Sequence, residues 1–276
     1  MMLAKSMLLV ASLLLITGCK LELPSLGGSS ISGPLTLETV TFERLGGPQC
    51  PDVAGTTPEN MRCASLRLIY PKIVAAGTPA AAAVINQYIQ EQLLEYSDAE
   101  GKPPATPDEL ASMFVADYND VPEAAGLWEM VREVEVSFAS EHLATLKIHE
   151  SGYTGGAHPF SGQRYAVFDV NTGKQLTLND LLVAGYEERL NVAGEQAFRQ
   201  ERGLDAKISL EEAGFWFANG IFKVNTNVGV SGNGLVFNFN PYEVAPYAMG
   251  PTEFTVAYDE INALIPDGSL LAALAR

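Results

Sequence analysis

The sequence predicts an α+β fold of two modules, in which mostly antiparallel sheets are packed by helices. Several runs alternate apolar and polar residues, which is typical of half-buried strands, and other runs repeat at helical spacing. Strands and helices do not alternate strictly along the chain, which favours α+β over a parallel α/β sheet. The 276 residues are 47% apolar, which is enough to build a core.

The amino terminus, Met1–Gly18, predicts a lipoprotein signal peptide. Lys5 supplies the positive flank, and Met7–Ile16 is an apolar stretch too short to span a bilayer as a mature helix. The stretch Leu15–Cys19 resembles a bacterial lipobox, which implies that Cys19 becomes the acylated amino terminus. Several acyl chains together give stable membrane anchoring. An ordinary secretory peptide with a chance cysteine is the alternative.

Residues 19–34 are rich in glycine, serine and proline, which predicts a flexible tether. Lys20 follows the cysteine where an aspartate would indicate retention in the inner membrane, so we expect the periplasmic face of the outer membrane. The formal charge of −16 and the lack of a basic stripe argue against nucleic acid as a partner. That charge favours solubility and cationic partners.

The three cysteines have two predicted roles, lipidation and disulfide formation. If Cys19 is lipidated, Cys50 and Cys63 remain as a pair in an oxidising environment, where we predict a disulfide. Such a bridge stabilises by about 3 kcal/mol in the chain-entropy model. No second cysteine or histidine pair lies near by in the sequence, so we predict no metal and no cofactor.

The first module is predicted over residues 35–156. Thr78-Pro79 and Thr106-Pro107 are helix start signals, each a capping residue followed by proline. The predicted elements are strands at Leu35–Leu45 and Cys63–Tyr70, the latter stopped by Pro71, helices at Ala80–Tyr96 and from Pro107, and a hairpin of Leu127–Phe138 with Leu143–His149.

The second module is predicted over residues 157–276. Leu176–Leu182 leads from a short strand into a helical turn. The other predicted elements are strands at Gln163–Val170, Phe215–Val224, Leu235–Phe239 and Thr252–Ala257, a helix at Tyr186–Arg202 ended by Gly203, and a last short helix at Tyr258–Ile265.

Two loop segments carry the candidate binding residues. The first reads YTGGAHPF over Tyr153–Phe160, where adjacent glycines permit backbone conformations that side chains forbid. The second is the proline-pinned segment Asn240–Gly250. Its tyrosines either pack as a structural corner or form a rigid rim that contacts a partner. The candidate binding residues are Tyr153, Gly155, Gly156, His158, Tyr242 and Tyr247.

Catalytic chemistry has little support in the sequence. His149 and Glu150 are adjacent on a predicted strand and point to opposite faces, so they cannot readily share an ion. Neither a zinc motif nor a nucleophile elbow occurs. We therefore assign no catalytic residue and expect a protein that is not an enzyme. We expect His158 to have a structural role, with its ring hydrogen-bonded to the backbone at the tight turn before Pro159. The alternative is a peptidoglycan-modifying hydrolase that uses His158 with Glu150 or a nearby serine.

Two motifs together resemble the extracytoplasmic region of the lysozyme-sensing anti-sigma factor RsiV and related bacterial lipoproteins. They are YTGGAH at Tyr153–His158 and FNFNPYEVAPYAMG at Phe237–Gly250, and the likeness would cover about Leu35–Leu271. The resemblance implies paired α+β domains of unknown function and, in the sensor, lysozyme binding. Related domains also occur attached to peptidoglycan deacetylases.

The chain departs from the sensor because it carries a lipobox and shows neither a membrane-spanning helix nor a cytoplasmic sigma-binding segment in its sequence. We therefore expect a lipid-anchored envelope protein that binds lysozyme or a peptidoglycan-related ligand. A structural envelope lipoprotein without a ligand is the remaining alternative.

Overall fold

The computed structural model describes residues 33–47, 50, 62–121 and 126–275. The predicted signal peptide, Cys19 and the tether up to residue 32 lie outside these ranges. Within them, no helix has the length and apolar character needed to cross a membrane.

A six-stranded sheet forms the first layer, and its strands lie side by side in chain order. Neighbouring strands are antiparallel, except that β2 and β3 are parallel. The parallel pair follows from the two helices that connect these strands, because a parallel connection needs a long crossover. The strands are β1 (Thr36–Gly46), β2 (Cys63–Ala75), β3 (Leu127–Ala139), β4 (Leu143–Tyr153), β5 (Phe160–Asp169) and β6 (Gln175–Leu176).

Helices α1 (Pro79–Leu93) and α2 (Pro107–Asp120) bury their apolar stripes in one core with this sheet. Their predicted starts are confirmed. Thr78 Oγ1 accepts a hydrogen bond from the amide of Ala81 at 3.1 Å, and Thr106 Oγ1 accepts one from the amide of Glu109 at 3.2 Å.

The second layer is a three-stranded antiparallel sheet with strands β7 (Val228–Val230), β8 (Gly234–Phe239) and β9 (Thr252–Ala257). Helices α3 (Leu178–Leu181), α4 (Glu187–Glu201) and α5 (Tyr258–Ile261) accompany it. Its core centres on Phe198 of α4, whose ring lies 4.9 to 5.8 Å from the rings of Phe215, Phe217, Phe222, Phe239 and Phe254. The α+β prediction with mostly antiparallel sheets is confirmed.

Two predicted elements are wrong in detail. Strand β2 continues through Pro71 to Ala75, because beyond Ile69 it pairs only with β1 and one missing donor is tolerated there. The predicted strand Phe215–Val224 is irregular, since Asn219 turns the backbone with a φ of 58°. The alternating Phe215 and Phe217 pack against Phe198 instead of lying in a paired strand.

The two sheets are joined directly. Thr145 Oγ1 donates to the carbonyl of Val230 at 2.7 Å and accepts from its amide at 3.0 Å. A Cβ on Gly229 would lie 2.8 Å from Thr145, so glycine permits this close approach. The division predicted between residues 156 and 157 falls between β4 and β5, which are hydrogen-bonded neighbours in one sheet.

A disulfide joins Cys50 to Cys63, as the cysteine count predicts. The two Cα atoms lie 5.2 Å apart, which is within the usual range for a bridge. Cys63 is fully buried at the first position of β2, so the bridge ties residue 50 to the sheet.

Candidate functional site

The loop from β4 to β5 meets the loop from β8 to β9 at the molecular surface. The ring of His158 stacks on that of Tyr247, with centroids 3.9 Å apart and planes at 19°. Tyr242 completes the group, its ring centroid 5.6 Å from that of Tyr247. We call His158, Tyr242 and Tyr247 the His–Tyr cluster. Three of the six candidate binding residues are therefore brought into contact.

Hydrogen bonds fix the histidine ring within this cluster. His158 Nδ1 lies 2.8 Å from the carbonyl oxygen of Pro159, which can only accept, so Nδ1 carries the hydrogen. His158 Nε2 then accepts from the hydroxyl of Tyr242 at 3.1 Å. Tyr247 also donates to the carbonyl of Pro159, at 2.9 Å. Nδ1 thus fixes the ring within the first loop, while Nε2 and the Tyr247 hydroxyl make the bonds that join the two loops.

The glycine half of the first loop has a conformational role. Gly155 and Gly156 have φ angles of 92° and 99°, in the region that favours glycine. The hydroxyl of Tyr153 donates to the carbonyl of Gly156 at 2.9 Å and closes the turn. These three candidate residues shape the loop that presents His158.

Asn240 attaches the second loop to the open edge of β5. Its Oδ1 accepts from the amide of Gln163 at 2.7 Å, and its Nδ2 donates to the carbonyl of Gln163 at 3.0 Å. Strand β6 pairs only with Val167 and Phe168, which leaves this stretch of the β5 edge available. The side-chain amide therefore supplies the donor and acceptor that a neighbouring strand would supply.

Asn227 makes a second pair of hydrogen bonds to β5, two residues further along the strand. Its Oδ1 accepts from the amide of Tyr165 at 2.8 Å, and its Nδ2 donates to the carbonyl of Gln163 at 2.7 Å. We call Asn227 and Asn240 the asparagine clamp. The sequence interpretation missed it, although the alternating asparagines in NTN at 225–227 and FNFN at 237–240 were a usable signal.

The carboxylate of Glu243 stabilises the second loop through two hydrogen bonds. It accepts from the amide of Asn240 at 2.9 Å and from Asn225 Nδ2 at 2.7 Å. The indole N–H of Trp216 donates to the carbonyl of Glu243 at 3.2 Å, which places a further half-exposed aromatic ring beside this loop.

Tyr242 has a backbone conformation that is unusual for its type. Its φ is 68°, in the left-handed region, and its side chain is 58% exposed. A bulky residue in this region is strained, and such strain persists where the surrounding structure imposes it. The contacts of Asn240 and Glu243 on the same loop provide that constraint.

Glu150, the residue considered as a catalytic partner of His158, is bonded to a buried arginine. Glu150 accepts at 2.9 Å from the guanidinium of Arg132, a residue that is 4% exposed. Arg132 also donates to the carbonyls of Leu93 and Glu95 at the end of α1, at 2.7 and 2.8 Å. Glu150 is therefore the partner of a buried cation. Among residues of the described ranges, no group of three or more His, Cys, Asp or Glu side chains is placed to hold a metal.

Glu253 and Tyr165 form a polar pair between the sheets, near the asparagine clamp, and neither has a pKa shifted towards neutral pH. Burial alone would raise the pKa of Glu253, but hydrogen bonds from Gln163, Tyr165 and Lys147 outweigh it and lower that pKa. Burial and the neighbouring Glu253 carboxylate raise the pKa of Tyr165. Both shifts move the pKa values away from neutral pH, so these groups hold the sheets together as a fixed carboxylate and a neutral phenol.

Comparison with known proteins assigns a domain to the carboxy-terminal half. The family described as "Protein of unknown function (DUF3298)" matches residues 179–259. The chain therefore contains a DUF3298 domain, which spans the asparagine clamp, Tyr242 and Tyr247. His158 lies before the matched residues. No curated protein matches the sequence.

Two solved structures share the fold over nearly the whole chain. A DUF3298 family protein from Pseudomonas aeruginosa PAO1 is 20% identical, with a TM-score of 0.62, over 85% of this chain and 95% of that one. A DUF3298 family member from Bacteroides fragilis NCTC 9343 is 17% identical, with a TM-score of 0.67, over 90% of this chain and 99% of that one. At these identities the likeness establishes the fold alone.

Proposed function

We propose that this chain is a lipid-anchored, non-catalytic binding protein of the bacterial cell envelope that binds its ligand through the His–Tyr cluster. The observation that carries the proposal is the meeting of two loops whose contacting residues, His158 and Tyr242, are 84 positions apart. Their rings are held at the surface, where aromatic side chains often supply most of the binding energy.

The cluster is also held in place before any ligand arrives. The asparagine clamp and Glu243 fix the second loop, while Tyr153 and the two glycines fix the first. A rigid surface loses less conformational entropy on binding, so more of the contact energy contributes to affinity.

Lysozyme is the candidate partner that the family resemblance suggests, and the charge of the chain favours it. Cleavage before Cys19 would remove Lys5 and change the formal charge from −16 to −17, since −16 − 1 = −17. A strongly acidic protein attracts a cationic one over long range, and salt screens that attraction.

The test is a calorimetric titration of the full chain, purified in detergent, with hen lysozyme over a salt series. We expect binding that weakens as salt rises and that falls at least about fivefold in Tyr247→Ala. The control is Val84→Ala, an exposed apolar residue on α1. Failure to bind even at low salt would remove lysozyme as the ligand. Equal affinities in Tyr247→Ala and wild type would place the binding surface elsewhere.

The proposed anchor has a separate test, because Cys19 lies outside the described residues. Cells expressing the full chain are fed radiolabelled palmitate, with Cys19→Ser as the matched variant. We expect label on the wild-type protein and none on the variant. An unlabelled wild-type protein would contradict the lipid anchor while leaving the binding surface untouched.

A further inference from the structure

Two further partly exposed aromatic residues adjoin the loops that carry the His–Tyr cluster. Trp216 is held beside the second loop by its indole bond to Glu243 and by its amide, which donates to the carbonyl of Val244 at 2.9 Å. Its side chain is 49% exposed. Phe160, 36% exposed, follows Pro159 directly at the start of β5. We call Trp216, Phe160 and the His–Tyr cluster the aromatic strip.

Two charged groups next to the strip, Glu243 and Arg202, are engaged within the protein. The carboxylate of Glu243 accepts from Asn225 and from the amide of Asn240. The guanidinium of Arg202 donates to the carbonyl of Met249 at 3.1 Å. The strip therefore offers aromatic ring faces on a chain whose overall charge of −16 disfavours polyanions.

A saccharide chain has the complementary chemistry. Each pyranose ring presents apolar C–H groups on its faces, which stack on the electron-rich faces of aromatic rings. Its hydroxyls lie at the ring edges, where polar groups at the rim can bind them. An uncharged saccharide is also free of the repulsion that this acidic chain imposes on phosphate or sulfate polymers.

We infer that the aromatic strip binds an uncharged saccharide chain, with sugar rings stacked on Tyr242 and Trp216. The inference rests on the binding surface of the proposed function, but not on lysozyme as the ligand. Tyr242 is 58% exposed on a constrained backbone, and the indole bond of Trp216 to Glu243 couples the second ring to the same loop.

The probe is a β-1,4-linked N-acetylglucosamine tetramer, titrated into the full chain without lysozyme present. The protein has two tryptophans, so Trp128→Phe leaves Trp216 as the fluorescent reporter. We expect a saturable change in its emission and a matching calorimetric signal. Tyr242→Asn and Trp216→Ala should each weaken calorimetric binding at least about fivefold.

Matched controls separate stacking from general surface changes. Ile221→Ala removes an apolar side chain that is 61% exposed and follows Trp216 by five positions. It should leave saccharide affinity within about twofold of wild type, as expected of a residue outside the contact. Circular-dichroism melts of every variant show that each protein is folded at the titration temperature.

The outcomes distinguish this inference from the proposed function. If Tyr247→Ala weakens lysozyme binding but no saccharide binds, the saccharide inference is overturned and the proposed function stands. If neither ligand binds, both lose their support. Saccharide binding that is unchanged in Trp216→Ala and Tyr242→Asn would overturn the strip as its site, and tighter binding of dextran sulfate than of the neutral tetramer would overturn the ligand class.

Discussion

Replacing Asn240 with alanine should detach the second loop from β5. The change removes the bonds to the amide and carbonyl of Gln163, which measure 2.7 and 3.0 Å. A typical hydrogen bond contributes about 1 kcal/mol net, and a half-buried amide left without its acceptor costs about 1 kcal/mol more. We therefore expect Asn240→Ala to lower the free energy of unfolding by about 2 to 3 kcal/mol, and Tm by about 5 to 10 °C.

The assay is thermal and urea unfolding followed by circular dichroism. Asn119→Ala, at an exposed position in the last turn of α2, is the matched control and should change stability by less than about 0.5 kcal/mol. Asn240→Asp keeps an acceptor for the Gln163 amide but loses the donor to its carbonyl. Its loss of stability should therefore lie between those of Asn119→Ala and Asn240→Ala. If Asn240→Ala costs no more than Asn119→Ala, the clamp does not hold the loop and the reasoning fails.

Three further changes test other parts of the fold. Arg132→Met leaves the Glu150 carboxylate without its buried partner, and urea unfolding should show a loss of about 3 kcal/mol. The hydrogen bond from Lys174 lowers the pKa of Asp180 to about 2, below the unfolded-state pKa of about 3.9. The stabilisation of the fold by the Asp180 carboxylate is therefore complete above pH of about 4 and is lost as pH falls towards about 2. Urea titrations over that range should show a flatter pH dependence in Asp180→Asn. Reduction of the disulfide described above should lower the free energy of unfolding by about 3 kcal/mol, measured with and without reductant.

Local patterns predicted most of the elements because their causes are local. The hairpin of β3 and β4 follows from period-two alternation on either side of a short connection. The starts of α1 and α2 follow from threonine followed by proline, since the cap and the first helical residue act within one turn. The irregular segment 215–224 was misread because Phe215 and Phe217, which both pack on Phe198 of α4, repeat at strand spacing.

The candidate site was predicted in its parts but not in its assembly. The glycine pair and the proline-pinned loop are visible in the sequence, and six of their residues were named. Their meeting depends on Asn240 bonding to Gln163, 77 positions away, which no local pattern encodes. Trp216 was read as part of a strand, but its segment is irregular and its indole N–H bonds to the carbonyl of Glu243, 27 positions away.

Hydrogen–deuterium exchange on the full chain tests the central claim most directly. Exchange is measured for the free protein, with saturating hen lysozyme, and with the N-acetylglucosamine tetramer. The account predicts that a bound ligand slows exchange in residues 153–160 and 240–250 together, because both loops form one surface. Protection confined to other segments, or no protection with either ligand, would contradict the assignment of the His–Tyr cluster as the binding surface.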